Sequence, residues 1–348
     1  MPWTKVYGDR SEFDKMAATR KDLRGLTYGE ALLEATATAM ASDPDVFVLG
    51  EGVDDPGGVF GSTLGLIDKF GPERVMDTAL AENGITGIAI GAAVAGMRPL
   101  LVHMRVDFLP LSLDQIMNHA AKWHYMFGGR VNVPITIRAI IGRGWGSGAQ
   151  HSQSLQSIFT QVPGLKVVMP ATPYDAKGLL LASLYDNNPV IFIEHRWLYG
   201  HVGHVPEEEY RVPLGQALIR REGADVTIVA SSLMVFEAIK AAEVLAEEGI
   251  DAEVLDLRTL KPMDTPAILK SVLKTGRLVI ADTGGKDGGI SAEISARVAE
   301  EGFSSLKAPI ARVGLPDVPT PASHVLEEAF YRGRADIVKA VKHIMTDG

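Results

Sequence analysis

The chain alternates between short runs of Val, Ile and Leu and longer stretches in which apolar residues recur every three or four positions. The first longer stretch, Thr27 to Met40, sets Ala, Leu and Met on one face and predicts a helix. Val46 to Glu51 follows as an apolar run closed by an acid, the pattern of a buried strand ending at a polar exit. Further strands are predicted at Pro99–Met104, Val133–Ala139, Leu165–Pro170 and Pro189–Glu194, with helices at Leu111–Tyr125 and Pro173–Tyr185. These strands show little polar alternation, so they predict a parallel sheet covered on both faces. The pattern breaks between Trp197 and Tyr210, where Gly, His, Pro and Glu read as a linker. A second alternation follows, with strands at Ala224–Ala230, Asp251–Leu257, Leu278–Asp282 and Ala308–Val313. Its helices are Met234–Glu248, Ile290–Gly302 and one long closing helix from Ser323 to Ile344. The expected fold is α/β with two domains, each a mostly parallel sheet flanked by helices. An exposed arm (1–26), a first domain (27–200), a linker (201–213) and a second domain (214–348) are expected.

Composition narrows the function. A chain of 348 residues is long for a single core, which agrees with two domains. The net charge is −9 and no block of Lys or Arg stands out, so nucleic acid is not an expected partner. The absence of cysteine excludes disulfides, thiolate catalysis and cysteine-ligated metal sites. Met1 to Arg24 has neither the apolar core of a signal peptide nor the acid-poor character of a transit peptide. The longest apolar run, Ile85 to Met97, is too short and Gly-rich to cross a bilayer. A cytoplasmic protein with no membrane partner is expected.

In open parallel sheets ligands bind at the carboxyl ends of strands. Two segments there attract attention. Ala81-Glu82-Asn83-Gly84 precedes the small, apolar run Ile85 to Met97. If that run is a buried helix, Glu82 lies at its N-terminal end, where free N–H groups and the helix dipole hold a carboxylate. Such an acid tunes a heterocycle or merely caps the helix. The second segment, Gly142 to Ser154, has four glycines in its first seven residues, and His151 follows among Gln150, Ser152 and Gln153. Glycines let a backbone approach a ligand closely, and a histidine in such a loop suits acid, base or oxyanion chemistry. No dinucleotide fingerprint, Walker A motif or nucleophile elbow is present. His119 and His124 are five apart, do not share a helix face well and read as structural.

These motifs together resemble one family. Leu49-Gly50-Glu51, Asp77 to Gly84, Asp114-Gln115-Ile116, Tyr125 to Gly129, Gly148 to Ser154, Pro163 to Val168, Pro173 to Leu179 and Asp256 to Leu260 match its pattern. The family is the β subunit of the thiamine-diphosphate-dependent first component of 2-oxoacid dehydrogenase complexes, within the transketolase-like superfamily. The resemblance covers nearly the whole chain after about residue 26. It makes the first domain pyrimidine-binding and the second a transketolase-like C-terminal domain.

The resemblance implies roles for particular residues. Glu82 hydrogen-bonds N1′ of the cofactor's aminopyrimidine and favours the imino tautomer, which takes the thiazolium C2 proton. Phe108 stacks on the pyrimidine, and Leu80 borders the cofactor. His151 faces the substrate, stabilises developing charge and assists acyl transfer to a lipoyl group. Glu51 and Asp114 match acids that link two active sites by a proton path; a buried, hydrogen-bonded interface pair is the plainer alternative. Main-chain carbonyls of Ile135, Ser183, Leu184, Asp186 and Asn188 match a potassium site, although Asp186-Asn187-Asn188-Pro189 also reads as an ordinary turn.

An absence completes the reading. Relatives hold the Mg²⁺–diphosphate end through a Gly-Asp-Gly motif with Asn-Asn downstream, and Asn187-Asn188 has no such motif upstream. The resemblance therefore implies an α subunit that supplies this half, an α2β2 tetramer, and a lipoyl acyltransferase core as a further partner. The expected reaction is oxidative decarboxylation of a 2-oxo acid with acyl transfer to lipoamide. Acetoin cleavage on the same architecture, half of a split transketolase and a non-catalytic scaffold are the alternatives. The chain departs from the family pattern at His103 to Asp107, often Glu- and aromatic-rich, and at Gly200, usually basic.

Overall fold

The computed structural model describes residues 9–20, 22–142 and 146–346. In chain order, α1 (Arg10–Ala17) and β1 (Gly25–Thr27) lead to α2 (Tyr28–Ser42) and β2 (Val46–Gly50). Next come α3 (Leu66–Phe70), β3 (Val75–Met76), α4 (Glu82–Val94) and β4 (Arg98–His103). A 3₁₀ stretch (Val106–Ser112) and a π-helical stretch (Gln115–Ala120) run into α5 (Ala121–Met126). Then follow β5 (Thr136–Ile141), α6 (Gln156–Thr160), β6 (Lys166–Val168), α7 (Pro173–Leu184), β7 (Val190–His195) and β8 (Val202–His204). The second half contains β9 (Leu218–Arg221), β10 (Val226–Ala230), α8 (Leu233–Glu247), β11 (Ala252–Asp256) and β12 (Thr259–Lys261). It closes with α9 (Thr265–Thr275), β13 (Leu278–Gly285), α10 (Ile290–Glu301), β14 (Ala311–Leu315), α11 (His324–Phe330) and α12 (Arg334–Thr346).

Two mostly parallel sheets result, as the apolar runs predict. The first has the order β12-β6-β7-β5-β4-β2-β3 and is parallel except for β12. The second has the order β14-β13-β10-β11-β9 and is parallel except for β9. Both α2 and α7 cover one face of the first sheet. The Thr27 hydroxyl and Glu30 carboxylate cap α2 reciprocally, accepting backbone N–H bonds at 3.2 and 2.7 Å. Thr172 and Pro173 begin α7 in the same economical way. The opposite face shares one apolar core with the second sheet: Ile137 and Ile191 join Val229 and Leu255 in it. Among the described residues no helix is long and apolar enough to cross a membrane.

The details differ from the sequence pattern in four places. The segment expected as an exposed arm carries α1, whose Phe13 is buried beside Val202. A Cβ on Gly25 would lie 2.5 Å from that phenyl ring, so a larger residue there would displace it. The segment expected as a linker carries β8, which pairs antiparallel with β1. The helix expected at Leu111–Tyr125 is assembled from 3₁₀, π and α turns, with Pro110 inside the first. The single closing helix is two, because Tyr331 is extended and the Gly333 N–H turns to the Asp336 carboxylate at 3.1 Å. Among the elements the pattern did not mark, β12 has the largest effect, since it leaves the second half to edge the first sheet.

A buried charge network fixes how the halves meet. Arg220 of β9 pairs with Asp175 of α7 and with Asp256 of β11, the latter at 2.7 Å. Arg258 reaches Asp175 at 2.8 Å. The side chains of Arg220, Asp175 and Asp256 are fully buried, and two cations balance two anions. Arg220→Met leaves two buried carboxylates with one cation, and it should cost about 3–5 kcal/mol. Lys342→Met, which breaks a half-exposed pair with Glu248, should cost under about 1 kcal/mol. Urea unfolding midpoints compare them, and shifts of equal size would refute the network's role.

Candidate functional site

The site forms where the first sheet's strands end. Gly50 closes β2 so near β4 that a Cβ would sit 2.2 Å from the Val102 carbonyl oxygen. The next residue, Glu51, is thereby delivered to the exit. The Gly52 N–H donates to Asp77 Oδ1 at 2.8 Å, drawing the exits of β2 and β3 together. Glu82 is the first residue of α4, in the turn where free N–H groups and the dipole favour an acid. Burial raises the Glu51 carboxyl above its ordinary range, and the nearby Glu82 and Asp77 charges raise it further. Glu51, Asp77 and Glu82 thus form one acidic cluster.

The run expected as a buried helix is only half covered. Thr86, Ala89, Ile90 and Ala93 face the core, whereas Ile88 is 63 % and Val94 41 % exposed. Leu80, just ahead of the helix, is 82 % exposed. The core face packs on the 3₁₀ and π-helical stretches, where Thr86 and Ser112 share a hydrogen bond of 3.0 Å. That 3₁₀ stretch carries Phe108.

The structure brings Phe108 and His151 together. Their rings meet edge to face, with centroids 5.4 Å apart and planes at 81°. The His151 loop leaves β5 at Gly142, whose φ of +94° and the His195 ring, 2.6 Å from where a Cβ would be, both require glycine. Arg143, Gly144 and Trp145 lie outside the described residues. Beyond them, Gln153 gives both its backbone N–H and its side-chain amide to Asp107 Oδ1, at 3.1 and 2.9 Å. Burial raises the Asp107 carboxyl, against the pull of these bonds. Gln156 donates to Asp282 of β13 at 2.9 Å, so the second sheet grips the end of the same loop.

Other expected positions lie apart. The Asp114 side chain is 59 % exposed; it accepts from Asn118 at 2.7 Å and lies 3.6 Å from His119. It is not among the charges that shift Glu51. Ile135, Ser183, Leu184, Asp186 and Asn188 converge at the opposite end of the sheet, where α7 turns into β7. There Arg98 donates to the Leu184 and Asp186 carbonyls, each at 3.2 Å, and Lys166 pairs with the Asp186 carboxylate. A cleft of about 990 Å³ runs behind the His151 loop, from Gln153 and Ser154 to Arg312 and Lys339, and neither Glu82 nor Glu51 lines it. Among the described residues no cluster of three or more His, Asp or Glu is built to hold a metal. The site thus offers an acid cluster, an aromatic edge and an imidazole.

The sequence pattern puts Asp107 at a strand exit and Gln153 beside His151, but it does not show that the two bond to each other, and it leaves Asp282 unmarked. Both pairings join residues far apart in the chain, which gives them no local signal.

Comparison with known proteins shows the family. The transketolase pyrimidine-binding domain matches residues 24–201, and the transketolase C-terminal domain matches 215–337. The chain is 48 % identical over 335 residues to the acetoin:2,6-dichlorophenolindophenol oxidoreductase β subunit of Cupriavidus necator, covering 93 % of this chain and 99 % of that one. It is 46 % identical over 319 residues to the pyruvate dehydrogenase E1 component β subunit of Rickettsia felis, covering 92 % and 98 %. A solved split-gene transketolase, described as an inactive β4 tetramer, superposes with a TM-score of 0.75 at 26 % identity and covers 93 % of this chain and 99 % of its own. The chain therefore belongs to the transketolase-like family of β subunits that includes those of pyruvate dehydrogenase E1 and the acetoin oxidoreductases.

Proposed function

We propose that this chain is the β subunit of a thiamine-diphosphate-dependent 2-oxoacid dehydrogenase. An α subunit carrying the Gly-Asp-Gly motif completes it as an α2β2 tetramer, and a lipoyl acyltransferase core receives the acyl group. The observation that carries the reading is Glu82 on the first turn of α4, a helix that packs on the 3₁₀ stretch carrying Phe108, whose ring in turn meets that of His151. Thiamine diphosphate would supply the carbanion chemistry when bound. Glu82 would hold N1′ of the aminopyrimidine through a hydrogen bond and share a proton with it. Phe108 presents its ring to the pyrimidine, and Leu80 gives it an apolar border. His151 orients the 2-oxo acid and donates to the oxygen on which charge develops. Glu51, beside Glu82, belongs to the proton path, and Asp114 joins that path only across an assembled interface.

The second reading, acetoin cleavage, is supported by the 48 % identity to an acetoin oxidoreductase subunit and uses the same residues. The test is co-expression with an α subunit, followed by dye reduction with pyruvate, branched 2-oxo acids and acetoin in turn. Glu82→Gln should lower turnover by about 100-fold or more while the tetramer still assembles. Full activity of that variant, or turnover by the β chain alone, would overturn the proposal.

Glu51 gives a pH test. Its folded value is raised, so the native state binds the extra proton, and stability falls as pH rises through that value. Glu51→Gln removes this penalty. It should raise the unfolding temperature near neutral pH, and the gain should vanish below the ordinary carboxylate range. A constant difference across that window would argue against the acidic cluster.

We also propose the turn between α7 and β7 as a potassium site. Carbonyl oxygens are hard donors that keep a second lone pair after accepting one hydrogen bond. Arg98 already donates to the Leu184 and Asp186 carbonyls and Lys166 pairs with the Asp186 carboxylate, so the ion must bind through the remaining lone pairs against their charge. Potassium chloride should raise the unfolding temperature above that in choline chloride of equal ionic strength. Superimposable melting curves would remove the site.

A further inference from the structure

We propose that the turn leaving β4, Arg105 to Phe108, is a clamp that sets the pose of His151, with Asp107 as its positioning residue. The inference rests on the reading of His151 as the group that faces substrate. Three side chains of this one turn hold three points of one loop. At the loop's entry, the buried Arg105 donates from Nη1 to the Gly142 carbonyl at 2.9 Å. At its exit, Asp107 Oδ1 takes two N–H bonds from Gln153. Between them, Phe108 meets the His151 ring.

The loop needs this outside grip. Gly146 and Gly148 both sit at positive φ, +73° and +69°, in a backbone region where glycine gives little stiffness of its own. His151 is itself exposed, so the Phe108 edge covers only one side of its ring and burial does not fix it. The bonds to Asp107 are to a charged acceptor, roughly twice as strong as neutral ones. Gln153 lies two residues from His151, so freeing it frees the imidazole. Downstream, Gln156 remains tied to Asp282, which confines the loosening to the stretch that carries the histidine.

The test uses the assembled α/β enzyme and the variants Asp107→Ala, Asp107→Asn and His151→Ala. Hydrogen exchange of the peptide spanning residues 146–156 reads the Gln153 amide directly. Asp107→Ala should exchange faster there and lose about 100-fold in kcat, the size expected when a catalytic group is displaced by an ångström. Its affinity for thiamine diphosphate, followed by tryptophan fluorescence, should stay within about twofold, because Glu82 is untouched. Asp107→Asn keeps an oxygen acceptor for the backbone N–H and should recover most of the turnover.

Wild-type exchange and turnover in Asp107→Ala, with His151→Ala inactive, would overturn the clamp. An equal loss of cofactor affinity and kcat would overturn it too, since that marks a general structural role. An active His151→Ala variant would instead sink the reading of His151, and the exchange data would still decide the clamp. If Asp107→Ala does not assemble, Gln153→Ala removes only the side-chain bond. A loss of roughly tenfold in kcat is then expected, the weight of one hydrogen bond, and unchanged turnover would overturn the proposal.

Discussion

The arrangement of this molecule depends on the buried charges at Asp175, Arg220, Asp256 and Arg258. An isolated buried charge costs several kcal/mol, so neither half of the chain can close its own core around what it contributes. Asp175 comes from α7 in the first half, and the remaining three come from the second. Arg258 adopts a left-handed backbone, with φ of +59°. Its N–H donates to Asp256 at 2.9 Å, and its carbonyl accepts from Met169 at 2.8 Å, just beyond β6. The chain then enters β12 and joins the first sheet. Electrostatic neutrality and strand pairing therefore act at one place to fix the angle between the sheets.

That angle has a chemical consequence. The loop bearing His151 lies between Asp107 of the first half and Asp282 of the second. A displacement of either sheet would change the length the loop must span. Asp282 is fully buried, and its oxygens accept from Gln156 and from the N–H groups of Gly284 and Ser291. The imidazole is thus located by both halves, although it is covalently part of only one. The pose of this loop is an outcome of packing between the halves rather than a property of its own sequence.

The parts legible in the sequence were those whose cause is local. Apolar runs marked the central strands, and Glu82 stood visibly ahead of a helix. His151 stood out because its glycine-rich neighbourhood is unusual. The parts that were not legible have distant causes. Arg220 and Asp175 are 45 residues apart, and neither is conspicuous without the other. β12 is three residues long and owes its strand conformation to β6, on the far side of the fold. α1 holds one buried aromatic, Phe13, and a single anchor leaves no period to detect. The break before α12 depends on the Asp336 carboxylate turning back to Gly333, a cap that runs of apolar residues conceal.

The most instructive departure is α4, which is apolar on the face turned to solvent as well as on the face turned to the core. Gly84 and Gly91 have open space where a Cβ would project, and Ile88 and Val94 stand beside them. A helix apolar all round is stable where it is covered all round. Glu82 opens this helix, and the charges of Glu82 and Asp77 add to burial in raising the Glu51 carboxyl. Among the described residues no salt bridge compensates Glu51, Asp77 or Glu82. A surface that covers α4 therefore also encloses those acids, and it must bring positive charge or leave them a proton. Under the proposed function, a cationic cofactor and a second polypeptide would together meet that condition. The same physical demand accounts for the position of Glu82 at the edge of this chain and not in its middle.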